Sequence, residues 1–197
     1  MMPITKKTIK EYADKYDKGV IGSFDEYGEK ELKEWFIDHR YLDKEKFIRL
    51  GKWKSRRPIK HYESNNDSLI KDITKFSLSV ENEEARIKIL FVLKGVSWPV
   101  ASTILHFAFP NKYPIMDFRA LWSLGIEQPK SYNFNFWQSY CEKMREIAQN
   151  VHEDIRTVDK ALWKYSKENQ KYYRIIWGFY SNSVPTISQP RSSLKYP

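Results

Sequence analysis

Apolar residues recur at helical spacing along most of the chain. Between 66 and 80 they fall at Leu69, Ile73, Phe76 and Val80, three or four residues apart, which places them on one face of a helix. Comparable patterns, with helix start and stop signals, predict the other helices. The predicted helices cover 5–16, 29–40, 43–50, 66–80, 83–93, 98–109, 118–124, 134–148 and 154–166. The sequence therefore predicts an all-α fold.

Glycine, proline and charge interrupt this pattern. The glycine-rich stretch 17–28 is predicted to be a loop, and Gly51 is predicted to end the helix before it. A basic connector is expected over 52–61, where Pro58 disfavours a continuing helix. The aromatic segment 172–180 fits a strand or a packed extended segment. We expect one helical domain over 1–180 and a flexible, proline-containing tail over 181–197.

Composition narrows the choice of partners and cofactors. The 197 residues include 34 Lys and Arg against 25 Asp and Glu, a formal charge of +9, and 16% are aromatic. A chain of this length and composition can bury a core, and its positive charge makes a polyanion the first partner to consider. The single cysteine, Cys141, excludes a disulfide framework, a four-cysteine iron–sulfur cluster and a thiolate zinc site within one chain.

Several other classes of protein are disfavoured by missing patterns. No window reaches the ~18 consecutive apolar residues of a membrane span, and no apolar segment follows the first lysines as in a secretory signal. We therefore expect a soluble, cytoplasmic protein. Glycine-rich phosphate loops and a Gly-x-Ser-x-Gly elbow do not occur, and no cofactor or metal is expected. The histidines, which lack metal-ligand spacing, are His39, His61, His106 and His152.

A tight turn between two helices is the most informative motif. Leu93 ends an apolar helix, Gly95 permits a positive φ, and Val96 can point back into the core. The next helix begins at once, with Pro99 in its first turn. Such a turn exposes backbone N–H groups at a positive helix end, which suits one phosphate. A contact of this kind is independent of base sequence.

This segment resembles the helix-hairpin-helix DNA glycosylases, the superfamily of endonuclease III and the adenine-mismatch and alkylated-base glycosylases. Their hairpin pattern is met by Leu93, Gly95, Val96, Ala101, Ile104 and Leu105, and the resemblance covers about 83–125. It implies a compact helical domain built around the hairpin, with double-stranded DNA as partner. It also implies a monomer acting at the nucleoid. In the family a catalytic aspartate follows the hairpin after an apolar helix and a short loop, where this chain has Asp117.

Two departures from the family pattern affect the expected chemistry. Ser97 replaces the second glycine of the hairpin, so the turn must accept a side chain or adopt different angles. Pro99 occupies the position of the lysine that forms a Schiff base in bifunctional members. Because proline cannot form that imine, the resemblance implies a monofunctional enzyme, which removes a base and leaves the strand intact.

Asp117 has two possible roles. Breaking a base–sugar bond develops positive charge on C1′, which an ionised carboxylate stabilises while it positions a water. The helix that begins at Phe118 favours the ionised form, whereas the apolar neighbours Ile115 and Met116 oppose it by desolvation. The alternative is that Asp117 only caps this helix.

Further contacts with nucleic acid are possible at basic and aromatic residues. Those expected to bind DNA, at the hairpin, in the basic connector and next to Asp117, are Lys94, Gly95, Val96, Ser97, Trp98, Lys52, Lys54, Arg56, Arg57 and Arg119. Aromatic side chains that could hold a flipped base are Trp53, Trp98, Tyr113 and Trp122. The alternatives are solvated surface charges and ordinary core aromatics.

The sequence thus predicts a monofunctional DNA glycosylase, in repair or in defence against modified foreign DNA. The identity of the excised base stays open, because the resemblance permits alkylated, oxidised, deaminated, mismatched or deliberately modified bases. A noncatalytic module that kept the hairpin for DNA binding is the alternative, since Ser97 and Pro99 depart from the enzyme pattern. A helical scaffold for protein partners is the third possibility.

Overall fold

The computed structural model describes residues 1–19 and 24–170, with the side chains of 24–27 excepted, and every regular element in these ranges is helical. The all-α prediction is confirmed. A 3-10 turn, Ile89–Val92, connects α6 to the loop before α7. The helices are α1 Lys6–Lys18, α2 Phe24–His39, α3 Lys44–Lys54, α4 Ile59–Glu63, α5 Asp67–Ser79, α6 Glu83–Lys88, α7 Trp98–Ala108, α8 Phe118–Leu124, α9 Phe134–Val151 and α10 Ile155–Asn169.

The core surrounds α7. Every residue from Val100 to Phe107 is buried, as expected of a helix that is apolar on almost all sides. Helices α2, α3 and α6 contact α7, while α10 packs against α1, α8 and α9. This arrangement leaves the ends of α3, α8 and α10 close to one another, and it positions the candidate site.

Side-chain caps explain where most helices begin. At seven helix starts a Thr, Asp or Asn side chain accepts a hydrogen bond from a backbone N–H of the first turn. This bond satisfies a donor that the helix itself leaves unpaired. These capping residues are Thr5, Asp43, Asn66, Asn82, Asp117, Asn133 and Asp154.

Two predicted boundaries were wrong. The predicted loop 17–28 is partly helical, because α1 continues to Lys18 and α2 already begins at Phe24. Gly51 does not end α3, which continues to Lys54. A Cβ atom on Gly51 would lie 2.8 Å from Cε2 of Tyr62, so this glycine permits close packing inside the helix.

The predicted connector 52–61 is also partly helical. Its first three residues belong to α3, and the short helix α4 begins directly after Pro58. Proline fits this position because the first residues of a helix need no backbone N–H donor. The predicted helix 83–93 is divided between α6 and the 3-10 turn, and Val92 there is exposed. The predictions for 172–180 and 181–197 lie outside the described residues.

Candidate DNA-binding turn and catalytic cavity

The turn between the 3-10 segment and α7 requires glycine at one position. Gly95 has a φ of +87°, which L-residues rarely adopt. A Cβ atom there would also lie 2.8 Å from Cδ1 of Tyr62. The ring of Tyr62 is thus enclosed between Gly51 on one edge and Gly95 on the other. Val96 is half-buried against the core, as the sequence predicts.

Asn65 fastens this turn to α4. Its Oδ1 accepts the N–H of Lys94 at 2.8 Å, and its Nδ2 donates to the Lys94 carbonyl at 3.0 Å. The same Nδ2 donates to the carbonyl of His61 at 2.8 Å. The sequence analysis missed Tyr62 and Asn65, since their partners lie about thirty residues away and no local pattern marks them.

Several backbone donors of the turn remain available. Lys94 N–H is taken by Asn65, and Val96 N–H donates to the Leu93 carbonyl. Within residues 1–19 and 24–170, the N–H groups of Gly95, Ser97 and Trp98 make no hydrogen bond. They precede the positive end of α7, where an anion is favoured. Ser97 has a φ of −119°, so the serine in place of glycine is unstrained.

The irregular segment 113–117 is held in place by side chains from three helices. Ser102 of α7 accepts the N–H of Met116 at 2.9 Å, and Tyr140 of α9 donates to the carbonyl of Ile115 at 3.1 Å. Asp159 of α10 accepts the N–H of Ile115 through Oδ2 at 3.2 Å. These bonds fix the backbone immediately before Asp117.

His106 contributes to the same scaffold. Its Nδ1 lies 2.8 Å from the Tyr113 carbonyl, which can only accept, so Nδ1 carries the proton. Burial lowers the pKa of His106 to about 3, so the ring is neutral at ordinary pH. His106 is therefore a buried histidine that supports the fold through this hydrogen bond.

Asp117 caps α8 and also forms an ion pair. Its Oδ1 accepts the N–H of Arg119 at 2.9 Å, and its Oδ2 lies 2.6 Å from Nζ of Lys54. The Lys54 side chain is 8% exposed and that of Asp117 is 18% exposed. The capping role is thus real. It does not exclude a chemical role, since only one oxygen serves the helix.

The ion pair faces a cavity of about 270 Å³. Its aromatic walls are Tyr16 of α1, Trp53 of α3 and Trp163 of α10. Arg156, Asp159, Lys164 and Lys167 of α10 add charged groups to the lining. The cavity therefore combines flat apolar surfaces with carboxylates and cations, the chemistry expected where a planar polar ligand is held.

Of the four aromatic residues predicted to hold a base, Trp53 lines this cavity and the other three do not. Tyr113 is 1% exposed and donates to Glu83 at 2.6 Å, as part of the core. Trp98 packs on Phe91, with ring centroids 4.9 Å apart. Trp122 packs on Tyr165, with ring centroids 6.1 Å apart.

A buried arginine organises the floor of the cavity. Arg156 donates to Oε1 of Glu29 through Nε at 2.9 Å and to the hydroxyl of Tyr16 at 3.3 Å. Although burial favours the neutral acid, Arg156 holds the pKa of Glu29 below its usual range. This pair connects α2 to α10 and remains charged.

The predicted DNA-binding cations occupy two different environments. Arg56, Arg57 and Lys94 are exposed, and Nζ of Lys52 lies 3.5 Å from Oε1 of Glu63. Arg119 lies over the ring of Phe118 and that of Trp163 at the edge of the cavity.

Lys54 differs from these cations and corrects the sequence interpretation. It was expected to contact phosphate from the surface of the connector. Because α3 continues one turn beyond Gly51, the side chain of Lys54 is instead directed inward to Asp117.

Asp159 and Arg156 are among the cavity residues that no sequence pattern predicted, as are Tyr16 and Trp163. Asp159 lies four residues after Ile155 and three before Leu162, on the buried stripe of α10. A carboxylate on an apolar stripe is unusual, because burial of a charge is costly. That irregularity is the signal that could have identified it.

The described residues contain no helix that is long and apolar enough to cross a membrane. They also contain no group of three or more His, Cys, Asp or Glu side chains placed to hold a metal ion. Comparisons with family models, with curated proteins and with solved structures found no match to this chain.

Proposed function

We propose that this protein is a monofunctional DNA N-glycosylase, which removes a damaged or modified base from double-stranded DNA and leaves an abasic site. The observation that carries the proposal is the position of Asp117. Its Oδ2 faces an aromatic-walled cavity, and it follows a turn with available N–H donors at the spacing of the glycosylase family. The same chemistry would serve base-excision repair and defence against foreign DNA.

The cavity suits a base that has been extruded from the duplex. Enzymes that act on a base hold the flipped nucleotide between aromatic or apolar side chains. Trp53 and Trp163 supply such surfaces, and the about 270 Å³ of space gives room for one base. The turn at Gly95–Trp98 would hold a phosphate of the same strand through its N–H groups, without reading sequence.

Asp117 would act on the sugar. As the bond between C1′ and the base nitrogen breaks, positive charge develops on C1′, and a nearby carboxylate lowers the energy of that state. The ammonium of Lys54 lies 2.6 Å from Oδ2 and pairs with this carboxylate. Water then adds to C1′, and its proton passes to Asp117 or to solvent.

The first experiment is base release, measured by mass spectrometry on damaged duplexes and on naturally hypermodified viral DNA. Wild type is compared with Asp117→Asn, because asparagine still caps a helix but carries no charge. We expect wild type to release a base and Asp117→Asn to do so at least about 10²-fold more slowly. Asp154→Asn is the matched control, since Asp154 caps α10 in the same way but does not line the cavity.

The same reactions test whether the enzyme is monofunctional. We expect strands to remain intact until alkali is added, since Pro99 cannot form an imine. Lys54 is the amine nearest to Asp117, so borohydride is included to reduce and trap any imine. A protein–DNA adduct that maps to Lys54 would contradict the monofunctional assignment while leaving base release in place.

A noncatalytic DNA-binding module is the second candidate. One observation favours it: both oxygens of Asp117 already have partners, as a purely structural residue would. This candidate predicts that wild type and Asp117→Asn bind DNA with the same salt-sensitive affinity and that neither releases a base. A scaffold for protein partners predicts no salt-dependent DNA affinity at all.

A further inference from the structure

A second carboxylate shares the cavity with Asp117. Asp159 is 4% exposed and comes from α10, so it approaches the cavity from a different helix than Asp117 does. Its Oδ2 accepts the N–H of Ile115 at 3.2 Å, which fixes the carboxyl group to the segment that carries Asp117. This bond leaves Oδ1 to carry a proton.

The cations nearest Asp159 are hydrogen-bonded to other carboxylates. Lys54 is bonded to Asp117, and Arg156 is bonded to Glu29. The guanidinium NH1 of Arg156 lies 3.8 Å from Oδ2 of Asp159, which is beyond hydrogen-bond distance. An ionised Asp159 would therefore depend on this long contact with Arg156 and on the N–H of Ile115 to balance its buried charge. The groups that face it are Lys54 from α3, Asp117 before α8, Tyr140 from α9 and Arg156 from α10.

This environment favours the neutral acid. Burial raises the pKa of Asp159 to about 7, and the charge of Asp117 acts in the same direction. Arg156, Lys54 and the N–H of Ile115 act in the opposite direction. The two carboxylates of the cavity therefore differ in environment. Asp117 is bonded to the ammonium of Lys54, whereas the buried Asp159 retains its proton up to about pH 7.

We propose that Asp159 is the general acid that protonates the departing base, while Asp117 stabilises the cation that forms on the sugar. This inference rests on the glycosylase function proposed above and assigns the second catalytic group. The bond between C1′ and the base nitrogen breaks, and its electron pair passes to the base. The proton of Asp159 neutralises the base, and water supplies the hydroxyl group of C1′. Asp159 then recovers a proton from solvent, so the sum is hydrolysis.

This division of roles identifies a class of substrate. A base that already carries a positive charge, such as 7-methylguanine, leaves without protonation and needs no acid. The ammonium of Lys167, which lies over the ring of Trp163 at the cavity wall, would repel such a base. The enzyme is therefore expected to act on a neutral base that leaves as its protonated form, such as a deaminated, oxidised or mismatched base.

The test is the pH dependence of single-turnover base release from two sets of duplexes. One set contains the neutral bases uracil, hypoxanthine and 8-oxoguanine, and the other contains 7-methylguanine and 3-methyladenine. On a neutral base, the wild-type rate should fall about tenfold per unit above about pH 7, because the acid is lost. Asp159→Asn should reduce this rate by about 10²-fold or more and abolish the alkaline decline.

Thermal unfolding and DNA affinity of Asp159→Asn serve as its controls, since asparagine can still accept the Ile115 N–H. A wild-type rate on neutral bases that does not change between pH 6 and 9 would overturn the inference without any variant. So would release of the cationic bases alone, or equal pH profiles for wild type and Asp159→Asn. If wild type releases no base from any duplex, the glycosylase function itself fails, and this inference fails with it.

Discussion

The turn at Gly95 and the cavity at Asp117 differ in how their parts are brought together. The candidate functional atoms of the turn are backbone N–H groups within four consecutive residues, from Gly95 to Trp98. The candidate functional atoms of the cavity come from Lys54, Asp117 and Asp159, which are separated by more than forty residues at each step. A local sequence motif thus defines the turn, whereas helix packing forms the cavity.

This difference determines which amino-acid substitutions each region tolerates. The turn needs a particular backbone shape, and many side chains satisfy it, as Ser97 does in place of glycine. The cavity needs particular side chains at fixed distances, and each is positioned by a different helix. Backbone geometry is therefore critical in the turn, whereas side-chain chemistry is critical in the cavity.

The largest expected effect on stability is at the turn. Gly95→Ala forces an L-residue to a φ of +87° and places its Cβ against the buried ring of Tyr62. We expect a loss of about 2–5 kcal/mol in the free energy of unfolding, measured with urea. Gly125→Ala is the matched control. Gly125 also has a positive φ, but its Cβ would meet only the flexible end of Met1, so a loss of about 1–2 kcal/mol is expected. Equal losses would show that Tyr62 does not fix the turn.

At the cavity, removal of one partner of the Lys54–Asp117 ion pair should lower the free energy of unfolding. Lys54→Met leaves the carboxylate of Asp117 with its capping bond but without its cation, and we expect a loss of roughly 2–4 kcal/mol. Lys52→Met is the control, because Lys52 pairs with Glu63 at the surface and should cost at most about 1 kcal/mol. The double variant Lys54→Met/Asp117→Asn should recover part of the loss. If the two single losses simply add, the pair is not coupled.

The pH dependence of the free energy of unfolding tests the protonation assigned to Asp159 in the cavity. With a pKa of about 7 in the folded protein and about 4 in the unfolded chain, Asp159 binds a proton only in the folded state between these values. The contribution of Asp159 to the free energy of unfolding is complete below about pH 4 and is lost as the pH rises to about 7. The total loss is a few kcal/mol at most. Urea unfolding of wild type and Asp159→Asn from pH 4 to 8 measures this. The variant should gain stability relative to wild type as the pH rises, and a constant difference would contradict the assignment.

The smallest effect is expected from the surface charges beside the turn. Lys94→Gln should weaken DNA binding slightly and reduce the slope of log K against log salt by about one. Fluorescence anisotropy with a duplex at several salt concentrations measures both. Lys143→Gln of α9 is the control for net charge, and an equal change in its slope would mean that DNA does not bind at the turn.

Local patterns were sufficient for most of the helical architecture. Capping residues such as Asp43, Asn66 and Asn133 lie next to apolar stripes, and both signals are visible within a few residues. The errors occurred where a distant residue decides the outcome. Gly51 looks like a helix stop in sequence, but in the fold it accepts the ring of Tyr62, and α3 continues.

The sequence by itself determined the all-α class, the glycine turn before α7 and the position of Asp117 at the start of α8. Each depends on interactions between residues close in the chain, which a pattern records. Only the tertiary structure placed Lys54 on Asp117, brought Asp159 into the same cavity and left Tyr113 in the core. These placements depend on how α3, α8 and α10 pack. Burial then decides which side chains pair and which carboxylate keeps its proton, because desolvation acts on a group only after the chain has surrounded it.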